Sequence, residues 1–189
     1  TVSVTGCSVI SGAHGIKVEA DILFEEADFS GTDMLVLPGG MPGTTNLKDH
    51  TGLTELLERF DREEKYIAAI CAAPSILGSL GMLKGRKACA YPSFEDKLDC
   101  EEVVCAPVVT DGHITTGRGM GAAIPFALRL TELLFGEKKA DEIAESIVYK
   151  LFEVLPLRQL CIPIFVLATF ISFAVSYTHL RAHETCADL

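Results

Sequence analysis

The most constraining feature of this chain is residues 65–81, KYIAAICAAPSILGSLG, where a short apolar run meets a helical pattern at a cysteine. Residues 66–70 have the length and apolar character of a buried strand, and the spacing after Pro74 predicts a short helix that ends at Gly81. A strand that turns tightly into a helix is the repeating unit of parallel α/β sheets. The segment therefore places Cys71 at the carboxyl end of a predicted strand.

The same alternation recurs along the first 150 residues. Apolar runs predict further strands, and apolar positions at helical spacing predict further helices. Asp111 and Gly112 have turn chemistry and predict a hairpin. In chain order we expect a buried strand that ends in a tight turn at Pro-Gly-Gly within 33–40, a helix at 52–65, a strand at 87–91, the hairpin within 102–117, and helices at 121–136 and 138–150. This order predicts a mainly parallel sheet with helices on both faces.

The composition fits one domain with appendages. The chain has 189 residues, a formal net charge of −10 and 49% hydrophobic residues, which is ample for a core. Apart from residues 84–87, KGRK, the basic residues form no cluster. A nucleic-acid-binding face is normally basic, so we expect no nucleic-acid partner.

The cysteines indicate free thiols. Their number is seven, which is odd, and no CxxC pair occurs. No signal peptide precedes Thr1, so we expect a reducing, cytoplasmic location. No pair of cysteines or histidines has the spacing of zinc ligands, so we predict no metal site.

Residues 151–189 differ in character from the rest. The 22 residues from 159 to 180 contain no Asp, Glu, Lys or Arg, and a membrane span needs about 20. One interpretation is a C-terminal membrane anchor. We favour a second interpretation, in which this segment is translated read-through sequence that does not belong to the protein. The pattern of strands and helices is expected to end near Lys150, and residues 176–185, SYTHLRAHET, resemble a translated sequencing adapter. The predicted domain is then 1–150, and 151–189 is an unrelated hydrophobic tail.

The position of Cys71 has chemical consequences. Unpaired N–H groups at a helix start stabilise negative charge, so the predicted turn favours a nucleophilic thiolate. Ala72 and Ala73 leave the turn uncrowded, and Pro74 suits a first helical turn. The alternative is that Cys71 is a small buried core residue, as free cysteines often are. Position alone leaves both interpretations open.

Four segments carry a resemblance to a known family: AAICAAP (68–74), VLPGGMPG (36–43), YPSFEDKL (91–98) and TTGRGMGAAIPFAL (115–128). Together they resemble the ThiJ/PfpI superfamily, in the branch of the Parkinson-disease-associated deglycase and bacterial ThiJ-like proteins. The resemblance covers about residues 1–150. It implies a flavodoxin-like three-layer α/β sandwich, usually a homodimer, that requires no cofactor.

The resemblance also implies roles for individual residues. Cys71 would be the reactive cysteine, and the backbone around Gly39, Gly40 and Ala72 would form an oxyanion pocket facing it. Many members have an arginine that reaches the site across the dimer where this chain has His14. His14 would polarise a substrate carbonyl or exchange protons with the thiolate, and the alternative is a surface histidine in a loop.

Two further positions are expected to bind substrate. Tyr91 stands where many members have a histidine, and it can donate a hydrogen bond but is a poor base. The alternative is an aromatic side chain packed beside Pro92. Gly119 belongs to GRGMG, which we interpret as a turn beside the active site, with Arg118 salt-bridged within the fold. A phosphate cradle is the alternative, although the spacing matches neither a Walker loop nor a dinucleotide fingerprint.

The remaining polar residues of these segments are expected to be unremarkable. His50 and His113 are predicted to face solvent, and Glu95 is predicted to lie on a solvated helical face. Cys105 is predicted to have a structural role beside a strand.

The chain departs from the family pattern in two ways. The protease-like branch has a histidine directly after the nucleophilic cysteine, and this chain has Ala72, so we discount a protease. Family members begin with a strand and helix that carry a glutamate meeting the sulfur, and that segment would lie before Thr1. We therefore expect a domain incomplete at its N-terminus, with a sheet lacking one central strand and a site lacking that carboxyl.

The resemblance implies a cysteine-dependent glyoxalase or deglycase acting on 2-oxoaldehydes, such as methylglyoxal, or on early glycation adducts. The alternative is an oxidative-stress sensor or chaperone-like protein that uses Cys71 without turnover. A role in thiazole or thiamine synthesis, a common label for this group, has no support in the residues. The expected partners are a small aldehyde and a second protomer, and a membrane only if the tail is genuine.

Overall fold

The computed structural model describes residues 1–12 and 14–149. The chain separates into two compact units, Thr1–Ile143 and Ala144–Leu189. The tail 151–189 lies outside the described residues, so both interpretations of it and the boundary at 150 stay predictions. Within the described part of the chain, no helix is long and apolar enough to cross a membrane.

The strands and helices follow the predicted alternation. The strands are β1 (Val2–Ser3), β2 (Val9–Ser11), β3 (Lys17–Glu19), β4 (Ile22–Leu23), β5 (Met34–Leu37), β6 (Tyr66–Ile70), β7 (Lys87–Ala88), β8 (Glu102–Val103), β9 (Val108–Asp111) and β10 (Ile114–Gly117). The α-helices are α1 (Gly43–Asp49), α2 (Thr51–Arg62), α3 (Pro74–Ser79), α4 (Ala123–Phe135) and α5 (Glu137–Ser146).

The main sheet has four strands in the order β5-β6-β10-β9. β5, β6 and β10 are parallel, and β9 joins β10 as an antiparallel edge strand. The predicted hairpin is confirmed, and Gly112 in its turn has a φ of 60°, which glycine adopts without steric cost. The sheet is mainly parallel, as the sequence predicts.

Helices cover both faces of this sheet. Along β6, Ile67 and Ala69 pack into the core with Leu57 of α2 and Leu77 of α3, and all four side chains are 0% exposed. The alternate residues of β6 lie on the opposite face of the sheet, where Ala68 packs against Phe126 and Leu130 of α4. This alternation follows from the period of two in a strand. The three-layer α/β sandwich is therefore confirmed.

The strand predicted at 87–91 is shorter than expected. β7 ends at Ala88, and it pairs in parallel with β8. The next N–H, from Cys89, donates to the hydroxyl of Thr116 at 3.0 Å rather than to a strand. Pro92 has no N–H to donate and begins a 3₁₀ helix, Pro92–Lys97.

The two histidines predicted to face solvent do not do so. His50 is the N-cap of α2, where its Nδ1 accepts a hydrogen bond from the Leu53 N–H at 3.0 Å. Its ring packs edge-on against Phe24. The His113 side chain is 10% exposed and lies 2.8 Å from a carboxylate oxygen of Asp61. Both predictions were wrong because each histidine has a polar partner that sequence spacing does not reveal.

The strands that precede β5 form two separate pairs. β1 pairs with β4 in parallel, and β2 pairs with β3 as an antiparallel hairpin. An apolar cavity of about 570 Å³ is lined by residues of β1 and of β5. The main sheet thus ends at β5, and the β1–β4 pair is not joined to it. This gap agrees with the expected sheet that lacks one central strand.

Candidate active site

The candidate site is centred on the turn between β6 and α3. β6 ends at Ile70 and α3 begins at Pro74, and the Ala73 N–H closes the turn by donating to the Ile70 carbonyl at 3.2 Å. Cys71 has a φ of 67°. This left-handed conformation is unfavourable for a residue with a side chain, by about 1–2 kcal/mol, and such strain is concentrated at functional sites.

Two neighbouring segments hold the main chain of Cys71. Its N–H donates to the Gly117 carbonyl at the end of β10, at 2.9 Å. Its carbonyl accepts a hydrogen bond from the Tyr91 N–H, also at 2.9 Å. The surrounding structure therefore fixes the strained conformation from both sides, and the side chain is half-buried.

Gly39 lies directly against the cysteine. A Cβ atom at Gly39 would be 2.6 Å from the Cβ of Cys71, 2.6 Å from the Ile70 oxygen and 3.0 Å from the Ala72 nitrogen. Gly39, Gly40 and Ala72 donate no main-chain hydrogen bond to any described residue. Gly39 and Ala72 therefore lie beside Cys71 with N–H groups that have no partner among the described residues, and Gly40 follows at a φ of 87°. Their role as an oxyanion pocket stays a prediction.

Tyr91 and Gly119 lie together beside the turn. They line a cavity of about 490 Å³, and a Cβ at Gly119 would be 3.4 Å from the Tyr91 ring. The Tyr91 side chain is half-exposed, and Pro92 lines the same cavity. Both residues predicted to bind substrate therefore border one cavity, although nothing there tests the binding itself.

The glycine-rich turn contains an ion pair. Arg118 Nη1 lies 2.9 Å from a carboxylate oxygen of Glu95, and both side chains are about 30% exposed. The geometry of this contact is not that of a hydrogen bond, so the buried Nη1 of Arg118 has no hydrogen-bond partner among the described residues. The expected salt bridge of Arg118 is confirmed, and the prediction of a solvated Glu95 was wrong because this cation faces it.

Cys105 is a residue whose position the sequence did not reveal. It is exposed and lines the cavity of Tyr91 and Gly119. In the sequence, Cys105 lies two residues before Pro107. In the structure, the Pro107 carbonyl accepts a hydrogen bond from the Arg118 N–H at 2.9 Å. That bond brings the loop before β9 against the turn after β10.

The structure does not bring His14 to the site within one chain. It is exposed in the turn between β2 and β3, where the Gly12 N–H donates to the Ile16 carbonyl. No hydrogen bond or ion pair of the described residues joins it to the Cys71 turn. A role for His14 across a dimer stays a prediction.

The other described cysteines differ from Cys71 in environment. Cys89 is fully buried, its thiol donates to the Thr116 carbonyl at 3.3 Å, and burial raises the pKa of this thiol above its ordinary value. Burial likewise raises the pKa of Cys100. The described residues include no group of three or more potential metal ligands. They also include no carboxylate or imidazole that is hydrogen-bonded to the Cys71 thiol.

The chain is similar in sequence to proteins of one known family. Residues 1–133 match the family model described as the DJ-1/PfpI family. The chain is 41% identical over 144 residues to "Protein DJ-1 homolog A" of Arabidopsis thaliana, covering 75% of this chain and 37% of that protein. It is 35% identical over 129 residues to "Deglycase PfpI" of Pyrococcus furiosus, covering 67% of this chain and 76% of that protein. The chain thus spans little more than a third of the plant relative's length.

A solved structure, oxidized DJ-1 of Toxoplasma gondii, superimposes with a TM-score of 0.75 at 36% identity, covering 78% of this chain and 81% of that one. DJ-1beta of Drosophila melanogaster gives 0.71 at 31% identity, over 75% and 77% of the two chains. The flavodoxin-like fold and the resemblance drawn from the motifs are both confirmed. The chain belongs to the DJ-1/PfpI family.

Proposed function

We propose that the chain is a cysteine-dependent glyoxalase or deglycase that acts on 2-oxoaldehydes such as methylglyoxal, or on their early glycation adducts. The observation that carries the proposal is the strained turn, which holds Cys71 half-buried next to residues whose N–H groups have no partner in the described part of the chain. The relative of Pyrococcus furiosus named a deglycase supports the same class of chemistry. The reaction requires no cofactor.

The proposed chemistry begins at the sulfur. The Cys71 thiolate adds to the aldehyde carbon of methylglyoxal and forms a hemithioacetal. A proton then moves from that carbon to the neighbouring one, which converts the adduct into a thioester of lactate. Water hydrolyses the thioester, releasing lactate and the thiol. Overall, one methylglyoxal and one water give one lactate.

Main-chain donors stabilise the oxyanion formed in the first step. Gly39 packs against the Cys71 side chain and Ala72 follows it in the chain, and the N–H groups of both have no partner among the described residues. Preorganised donors of this kind usually contribute the largest single part of catalysis in acyl-transfer sites. Gly40 follows Gly39 in the chain, and Tyr91 with Gly119 binds the rest of the substrate in the cavity that these two residues line, whose lining does not include Cys71.

We further propose that the protein acts as a cytoplasmic homodimer and that His14 of each protomer reaches the partner's site. His14 is exposed and lies in a hairpin turn, which leaves it free to contact another protomer. Size-exclusion chromatography with light scattering measures the oligomeric state. His14→Ala would lower turnover in a dimer and leave it unchanged if the two protomers do not meet there.

The test of the proposal is lactate formation from methylglyoxal by the full chain. Cys71→Ser should abolish it, because the hydroxyl is far less nucleophilic at neutral pH. Cys7→Ser is the matched control, since Cys7 is an exposed cysteine outside the site. Loss of activity in Cys71→Ser alone supports the proposal. Equal activity in all three proteins, or none in the unsubstituted chain, contradicts it.

The second candidate is a redox sensor that uses Cys71 without turnover. It is favoured by one observation: no base among the described residues is hydrogen-bonded to the thiol. Oxidation to the sulfinic acid requires an accessible thiolate and donors for the new oxygens, but no proton carrier. Mass spectrometry after peroxide treatment separates the candidates. Selective oxidation of Cys71 in a chain that forms no lactate identifies the sensor.

A further inference from the structure

The cavity beside the Cys71 turn has one charged side chain in its lining. Its volume is about 490 Å³, and Arg118 alone is charged among the described residues that line it. Pro92, Pro107 and Ala122 make much of the remaining lining apolar. A cation beside an apolar wall attracts an anion more strongly than the same cation in open water, because less solvent screens the two charges.

Glu95 contacts one nitrogen of the Arg118 guanidinium and leaves the others free. A carboxylate oxygen of Glu95 lies 2.9 Å from Nη1, which is buried, and Glu95 does not line the cavity. The other two nitrogens, Nε and Nη2, donate to no described residue and are not buried. Together they form the edge of the guanidinium whose parallel N–H groups match the two oxygens of a carboxylate. This edge is available to a ligand in the cavity.

Main-chain hydrogen bonds connect the cavity to the reactive turn. The Cys71 N–H donates to the Gly117 carbonyl at 2.9 Å, and Arg118 is the next residue. The Tyr91 N–H donates to the Cys71 carbonyl at 2.9 Å, and Tyr91 lines the cavity. Cys71 itself does not line the cavity. A molecule that reaches both the sulfur and Arg118 must therefore extend beyond the aldehyde by a spacer.

These features together define the substrate. We propose that this cavity is a carboxylate-binding subsite in which Arg118 determines specificity, so that the preferred substrates are 2-oxoaldehydes with a carboxylate beyond an apolar spacer. The inference rests on the proposed function, because it names the substrate of the same cysteine. The substrate carboxylate accepts hydrogen bonds from Nε and Nη2 of Arg118, and the spacer packs against Tyr91 and the apolar wall. A single negative charge is favoured over a phosphate dianion, because Glu95 already offsets part of the charge of Arg118.

Glu95 sets the strength of this attraction. Its negative charge opposes a second carboxylate at the same guanidinium, and the repulsion is partly screened because both side chains are about 30% exposed. Removing the charge of Glu95 should therefore strengthen the binding of an anion, whereas removing the charge of Arg118 should weaken it. An ion pair with a merely structural role would not give these opposite responses, because both substitutions break the same contact.

The first experiment measures binding to the full chain by NMR titration. The ligands are 4-acetylbenzoate and its neutral counterpart 4-acetylbenzamide, which have the same ring and ketone but lack the aldehyde that reacts with Cys71. Shifts of the amide resonances of Tyr91 and Gly119 locate the ligand in the cavity. We expect saturable binding of 4-acetylbenzoate and about tenfold weaker binding of 4-acetylbenzamide.

Three variants test the two charges. Arg118→Gln should weaken the binding of 4-acetylbenzoate about tenfold. Glu95→Gln keeps an oxygen beside Nη1 and should strengthen the binding about two- to fivefold. Asp96→Asn is the matched control, because it removes the same charge from the exposed neighbour of Glu95, and it should leave the binding unchanged. If Arg118→Gln does not fold by circular dichroism, the two ligands and the Glu95→Gln variant still decide.

The second experiment measures the preference for substrates. Initial rates of 2-hydroxy acid formation from (4-carboxyphenyl)glyoxal and from phenylglyoxal give the ratio of the two kcat/KM values. We expect this ratio to favour the carboxylated substrate about tenfold and to fall in Arg118→Gln, mainly through KM.

The outcomes separate this inference from the proposed function. The subsite is overturned if the two NMR ligands bind equally or not at all, if Arg118→Gln binds 4-acetylbenzoate unchanged, or if Glu95→Gln binds it more weakly. A kcat/KM ratio near one overturns the assigned substrate. If 4-acetylbenzoate binds as expected while neither glyoxal is turned over, the proposed function fails and the carboxylate-binding subsite is supported.

Discussion

Replacing Gly39 by alanine tests how tightly the Cys71 turn is packed. The added Cβ would lie 2.6 Å from the Cβ of Cys71 and 2.6 Å from the Ile70 oxygen. Carbon atoms in contact are normally about 3.5–4.0 Å apart, so one segment must move by about 1 Å. Main-chain hydrogen bonds to Gly117 and Tyr91 oppose movement of the cysteine. We expect Gly39→Ala to lower the free energy of unfolding by about 1–3 kcal/mol.

Urea denaturation measures this free energy, and the rate of Cys71 alkylation by iodoacetamide reports on the turn. Gly121→Ala is the matched control, because a Cβ at Gly121 meets no atom within 4 Å and its φ is not left-handed. That variant should stay within about 0.5 kcal/mol of the unsubstituted chain. The packing argument fails if Gly39→Ala has unchanged stability and an unchanged alkylation rate.

The remaining predictions concern the core, a polar pair and a buried thiol. Leu57 is fully buried, so Leu57→Ala should cost about 2–5 kcal/mol in urea denaturation, while Leu134→Ala, at a 39% exposed position, should cost far less. Asp61→Ala should cost about 1–2 kcal/mol, and a double-mutant cycle with His113→Ala that shows no coupling would contradict the pairing. Burial raises the pKa of Cys89 above its ordinary 9.0 in the folded state. The unfolded chain therefore loses this proton first, so the contribution of Cys89 to the free energy of unfolding should be constant below about pH 9 and decrease above it. Cys89→Ala should lessen the decrease in the free energy of unfolding above about pH 9, and an identical decrease in both proteins would refute this cause.

Periodic features of the sequence predicted most of the fold. The apolar spacing of residues 52–65 predicted α2, which the structure bounds at Thr51–Arg62. The Pro-Gly-Gly after residues 33–37 located the end of β5, and Asp111-Gly112 located the hairpin. The predictions of these strands and helices succeeded because burial on one face imposes a period of 2 or 3.6 on the apolar residues of the sequence.

Long-range contacts account for what the sequence did not predict. The ion pair of Arg118 with Glu95 and the contact of His113 with Asp61 join residues far apart in the chain. No local sequence pattern predicts either of these two contacts. Likewise, the order of apolar runs predicted strands but not which edges remain unpaired. The gap between β1 and β5 was expected only from the resemblance to a family.

The turn at Cys71 also makes the site observable without a substrate. The amide proton of Tyr91 is held by the Cys71 carbonyl at 2.9 Å, so its exchange with solvent reports whether that carbonyl keeps its place. Tyr91 is 20 positions away in sequence, so chemistry at the sulfur leaves its covalent structure unchanged. The exchange rate of the Tyr91 amide proton therefore reports whether an adduct or an oxidation state of the sulfur opens the turn.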